Sequence, residues 1–111
     1  MTTSEIFTAI KRRESNGRAV LYPVWEALVY TLYKEGYVRR YIADALHVHP
    51  DSISYAVSLC MEHLDANDEN VKNASKALGE HDLTLKPYFE MTGKGGTSRV
   101  RTELFIDGIK Y

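Results

Sequence analysis

Only one cysteine, Cys60, stands among the 111 residues, which rules out an internal disulfide and points to a reducing compartment. Long apolar runs are missing too. The longest, around Ala27 to Leu32, falls far short of the roughly 20 residues that a membrane-spanning helix needs. The N-terminal MTTSEIFTAIKRRE lacks a basic start followed by an apolar run and a small-residue cleavage site, so no secretory leader is expected and the location reads as cytoplasmic. There is no internal repeat, low-complexity segment or long linker. Charge of one sign is scarce overall: the net value is −1. That is low for a nucleic-acid binder, whose Lys and Arg normally neutralise phosphates.

The 44% hydrophobic and 26% charged residues are those of a globular chain. One domain over residues 1–111 is expected, with a helical core over 1–79 and a β-hairpin over 83–107. Charge is unevenly spread. Residues 1–49 hold seven basic and five acidic side chains, residues 50–85 two and seven, and residues 86–111 five and three. The acid lies in the middle and both ends are mildly basic.

Five helices follow from the pattern. Thr2 and Glu5 have capping-box spacing ahead of Ile6, Phe7 and Ile10, predicting a first helix from about Ser4 to Arg13. Pro23 opens a second, with Val24, Trp25, Leu28, Val29 and Leu32 as its apolar stripe and Gly36 as its stop. Val38 to Leu46 forms a third, with Ile42, Ala45 and Leu46 inward. Pro50 starts a fourth that buries Ile53, Ala56, Val57 and Cys60. The run DANDEN at 65–70 caps a fifth, which buries Val71, Ala74 and Leu78 and stops at Gly79.

From Leu83 the period changes to two, with Leu83, Leu85, Phe89 and Met91 on one face. After GKGG at 93–96, Val100, Thr102, Leu104 and Ile106 alternate. A register with Thr92 opposite Thr97 sets Glu90 against Arg99, Lys86 against Glu103, Phe89 against Val100 and Leu85 against Leu104, so charges and apolar partners all match. The expected fold class is therefore mainly α with a C-terminal two-stranded antiparallel hairpin (α+β). The hairpin's apolar face must cover the helices or a second subunit.

Residues 38–58, VRRYIADALHVHPDSISYAVS, carry the functional signal. A helix-turn-helix needs a small residue where its two helices cross, an apolar pair around a tight turn, and a branched apolar anchor in the second helix. Ala43, Leu46 with Val48, and Ile53 occupy those places. The run resembles the widespread form IAxxLGVSxxTVSRAL position by position, with His47 in place of the turn glycine. His enters left-handed backbone geometry more readily than most side chains.

The wider run from Lys11 to Leu64 joins a basic loop (KRRESNGR), a long helix (PVWEALVYTLYKEG) and the helix-turn-helix ending in ISYAV. It resembles the C-terminal DNA-binding domain of the bacterial replication initiator DnaA, of the Trp-repressor-like group. The resemblance implies DNA backbone and minor-groove contacts from Arg12, Arg13 and Arg18. The family's Asp-His-Thr-Thr base-reading run falls on His49, Pro50, Asp51 and Ser52, of which only Ser52 keeps comparable chemistry.

The expected partner is double-stranded DNA, with Asp51, Ser52, Ser54, Tyr55 and Ser58 facing base edges or phosphates. Arg39 and Arg40 would clamp phosphates. Lys94 at the hairpin tip and Arg101, the latter lying over Tyr88, would form a wing. A regulator of transcription or a replication accessory factor, of phage or mobile-element type, is the biological reading. The alternative is a protein-interaction or assembly module, in which the hairpin pairs with a partner protein or joins a homodimer.

Zinc is not expected. His47, His49, Cys60 and His63 are ligand types, but His49 and Cys60 would sit about 16 Å apart along one helix. GKGGTS lacks P-loop spacing and joins two strands. No Ser, His and acid set can be assembled, so no enzyme, catalytic residue, cofactor or small-molecule substrate is expected.

Overall fold

The computed structural model describes residues 1–16, 23–92 and 97–111, with side chains described for 1–11, 23–90 and 99–111. Helices run over Thr3–Asn16 (α1), Pro23–Lys34 (α2), Arg39–Leu46 (α3), Pro50–Asp65 (α4) and Glu69–Leu78 (α5). Strands follow at Leu83–Thr92 (β1), Thr97–Ile106 (β2) and Ile109–Lys110 (β3). The architecture is α+β.

Local chemistry sets the helix ends. The expected capping box forms: the Glu5 N–H donates to Thr2 Oγ1 and the Thr2 N–H to Glu5 Oε1, each at 3.2 Å. Three helices close on the same device, a left-handed residue followed by paired backbone bonds. At Gly36 (φ 96°) the Tyr37 N–H reaches Leu32 O and the Gly36 N–H reaches Tyr33 O. At His47 (φ 59°) Val48 bonds Ala43 O and His47 bonds Asp44 O. At Asn67 (φ 57°) Asp68 bonds His63 O and Asn67 bonds Leu64 O. Asp68 then caps α5 by accepting from the Val71 N–H at 3.1 Å.

Helix α2 is the centre of the core. Residues 25–29 are all buried, and α2 packs on α1, α3, α4 and α5. Ile6 and Ile10 of α1, Ile42 and Leu46 of α3, Ile53 of α4 and Leu78 of α5 close around it with no exposure.

The β1–β2 register is the one that the charges and apolar pairs predict, from Leu83 opposite Ile106 to Thr92 opposite Thr97. Two features depart from expectation. The sheet has three strands, not two, because Asp107 (φ 54°) and Gly108 (φ 79°) make a tight turn that brings β3 against Phe105 and Ile106. Asp-Gly is a strong hairpin-turn signal, so this strand was legible in the sequence.

Second, the hairpin's apolar face is covered only at its base. Leu83, Leu85, Leu104 and Ile106 are buried, whereas Phe89 is 76% exposed and Val100 47%. Length explains this. A ten-residue strand spans about 34 Å, while eight-residue α3, which the hairpin rests on, spans about 12 Å. The distal half therefore projects, drawing the molecule out to 52 × 27 × 27 Å.

One side chain fixes the hairpin to α3. Asp44 Oδ2 accepts the Thr102 N–H at 2.8 Å and the Arg101 Nε–H at 3.1 Å. Because the Thr102 N–H points away from β1, the Pro87–Thr102 pair is a non-hydrogen-bonded one, and proline costs the ladder nothing there.

Candidate nucleic-acid interface

The α3–turn–α4 unit has the helix order and the buried positions that the sequence predicts. Ala43 is 1% exposed at the crossing, and Leu46 and Ile53 are fully buried. Val48, half-buried, packs against the core. A three-residue turn, 47–49, separates the helices, with His47 in the left-handed region that a glycine usually takes.

His49 caps α4. Its Nδ1 accepts the Asp51 N–H at 3.1 Å, so in this state the ring proton sits on Nε2. The imidazole is exposed, which makes that Nε2–H an outward donor. Although Asp51 Oδ2 lies 3.5 Å from Nδ1, an Nδ1 that accepts a backbone bond carries no proton to share with it.

Asp51, Tyr55 and Ser58 are exposed on α4, with Ser52 and Ser54 half-buried beside them. The spacing 51, 54, 55, 58 is one helical face. The structure thus gathers the predicted α4 residues on the first three turns. Among them are donors, acceptors and one aromatic ring, and α4 has no Lys or Arg.

Arg39 and Arg40 open α3 and are exposed. Arg39 lies over the Tyr33 ring at 5.3 Å and Arg40 over Tyr41 at 5.1 Å, with Arg40 Nη2 donating to Tyr41 Oη at 3.3 Å. Neither is paired with a carboxylate among the described residues. Two cations in a first turn that has no acid oppose the helix dipole. What offsets that cost within the fold is stacking on two tyrosine rings, not an ion pair with a carboxylate among the described residues.

Arg101 requires a correction. Rather than stacking on Tyr88 as a free wing cation, its guanidinium is held by Asp44 Oδ1 at 2.9 Å and by Glu90 Oε2 at 3.5 Å. These bonds to Asp44 also raise its pKa, so it stays charged but neutralised. The ion pair wins because Asp44 reaches the open rim of β2 where Arg101 emerges. Side chains of Arg12 and Arg13 and the whole of Arg18 and Lys94 lie outside the described residues.

Sequence reasoning passed over Asp44, Tyr41 and Arg99, which line one groove with Arg40, Val100 and Arg101. The Glu90–Arg99 match was the available signal.

Of the residues weighed as metal ligands, His47 lies against Tyr111, His49 caps α4, and Cys60 is buried. His63 Nδ1 bonds Glu26 at 2.9–3.0 Å, joining α4 to α2. Burial raises the Glu26 pKa, and the His63 bond opposes that rise. Burial, with the Glu26 charge nearby, pushes the Cys60 thiol up to about 11, so it stays neutral. Among the described residues no group of three His, Cys, Asp or Glu side chains converges on a metal position, and no helix is long and apolar enough to cross a membrane.

Comparison with protein families, with curated proteins and with solved structures gives no significant match to this chain.

Proposed function

We propose that this chain is a small helix-turn-helix protein that binds double-stranded DNA, entering the major groove with the first turns of α4 and gripping phosphates with Arg39 and Arg40. The carrying observation is the pair of exposed arginines, without a carboxylate partner among the described residues, set against the dipole at the start of α3. Local rules of this kind are broken characteristically at functional sites. Stacking on Tyr33 and Tyr41 holds both guanidiniums in place before any partner arrives.

The α4 face supports this reading with modest base selectivity. Asp51 can accept from a cytosine amino group, while Ser54, Ser58 and the His49 Nε2–H can bond bases or phosphates. The bidentate arginine contact to guanine is missing from α4. Affinity then comes chiefly from the backbone. A role in transcription regulation or as a replication accessory factor, in the cytoplasm and of phage or mobile-element type, goes with this reading, as does the likeness to the DnaA domain.

Fluorescence polarisation of a labelled duplex at two salt concentrations tests it. Loss of two phosphate contacts in Arg39→Ala/Arg40→Ala should reduce the salt slope by about 1.8. Unchanged binding in the double variant would sink the docking.

A second reading, protein assembly, draws on the exposed Phe89 and Val100 side by side on the projecting hairpin. It requires self-association or partner capture that leaves DNA unbound.

A further inference from the structure

Between α3 and the hairpin lies an open groove of about 460 Å³, lined by Arg40, Tyr41, Asp44, Arg99, Val100 and Arg101. Three guanidiniums face two carboxylates, counting Glu90, which reaches in from β1. Both carboxylates are already in use. Asp44 holds Arg101 and the Thr102 N–H, and Glu90 Oε2 serves Arg99 Nε at 3.1 Å and Arg101 Nη1 at 3.5 Å. Arg40 has no carboxylate among the described residues. Among the described residues Arg99 is engaged through Nε alone, its side chain is 61% exposed, and it lines the groove.

Two more donors point the same way. Tyr41 Oη accepts from Arg40, which leaves its own O–H to donate. Val100 has the same parity as Thr102 on β2, so its N–H points out of the ladder at a stretch of edge that β3 does not reach. The groove thus offers donors and a surplus of positive charge, with its acceptors occupied.

We propose that this groove binds a backbone phosphodiester of the duplex through Arg40, Arg99, Tyr41 Oη and the Val100 N–H, which makes the side of the hairpin, rather than its tip, the second point of grip. The inference rests on the DNA-binding reading given above and adds a site to it. Arginine forks suit the paired oxygens of a phosphodiester, and Glu90 competes with the phosphate for the Arg99 charge.

The test uses the full chain and a labelled duplex at two salt concentrations, with Arg99→Gln, Glu90→Gln, and Lys76→Gln on exposed α5 as a control. Arg99→Gln should bind several-fold more weakly, with a salt slope lower by about 0.9. Glu90→Gln should bind more tightly with a steeper slope, since it frees Arg99, and Lys76→Gln should match wild type. Duplex bound equally by wild type, Arg99→Gln and Glu90→Gln overturns the groove and leaves docking through α4 standing. Weakening by Arg99→Gln and Glu90→Gln alike marks a purely structural ion pair and also overturns it. A wild type that binds no duplex at either salt overturns the groove together with the reading beneath it.

Discussion

Replacing His47 with glycine probes the turn on which the helix-turn-helix depends. At φ 59° and ψ 42° an L-residue suffers a clash between Cβ and the following carbonyl of about 1–2 kcal/mol. Glycine removes that clash but gives back roughly 0.5–1 kcal/mol through the greater freedom of its unfolded chain. The exposed imidazole also loses its tilted contact with Tyr111, at 5.9 Å between centroids. The balance is a stabilisation of about 0.5–1 kcal/mol, or roughly 2–8 °C in Tm for a chain of this size. His47→Ala loses the same ring contact and keeps the clash, so it should melt at or below wild type. Thermal and urea unfolding followed by far-UV circular dichroism measure both variants. His47→Gly melting at or below His47→Ala would refute the reasoning, because relief of the Cβ clash would then not outweigh the added freedom of the unfolded chain.

Three other perturbations read different parts of the fold. His63→Ala leaves the Glu26 carboxylate, 2% exposed, without its partner; the expected loss in urea unfolding is on the order of 2–3 kcal/mol, below a fully buried pair because His63 reaches water. Adding Glu26→Leu to that variant should recover much of it. Asp107, which accepts from Thr3 Oγ1, His81 and the Asp82 N–H, has its pKa lowered to about 2, while the Asp107 bond raises that of His81. The Asp107 contribution is therefore present above its ordinary value of 3.8 and lost as pH falls toward 2, and the His81 contribution is full below 6.5 and lost as pH rises through its raised value. Tm measured against pH should show both limbs in wild type, and His81→Ala should abolish the alkaline one. Finally, Phe89→Ser/Val100→Thr should leave Tm unchanged, since both side chains are exposed; a fall in scattering mass for this variant would favour the assembly reading over DNA binding.

Much of the fold was legible because local rules agreed with one another. Pro23 and Pro50 open helices, Gly36 and His47 close them, and the Glu90–Arg99 and Leu85–Leu104 matches fix the hairpin register. What the sequence hid depends on distances between elements. Nothing in the two-residue period tells that Phe89 lies beyond the end of α3, and nothing near Asp44 signals that its carboxylate closes a strand edge nearly 60 positions away. The pairing of Glu26 with His63 was concealed likewise, although a glutamate amid Trp25, Ala27, Leu28 and Val29 marked a buried acid. At the candidate interface the α4 face could be read from helical spacing. The neutralisation of Arg101 could not, because it needs a contact between α3 and β2.

Pro87 gives the hairpin a property that neither DNA contact nor stability describes. It sits mid-way along β1, the outermost strand, at a position whose backbone faces away from β2. A foreign strand laid against that rim would find no N–H at its centre. The opposite rim is interrupted by Asp44 at Thr102 and by β3 at its base, with the Val100 N–H left open beyond them. Both rims of the projecting hairpin are thus broken within a few residues, which disfavours extension of the sheet by a second copy of this chain and leaves the side chains on its faces as the better route to association.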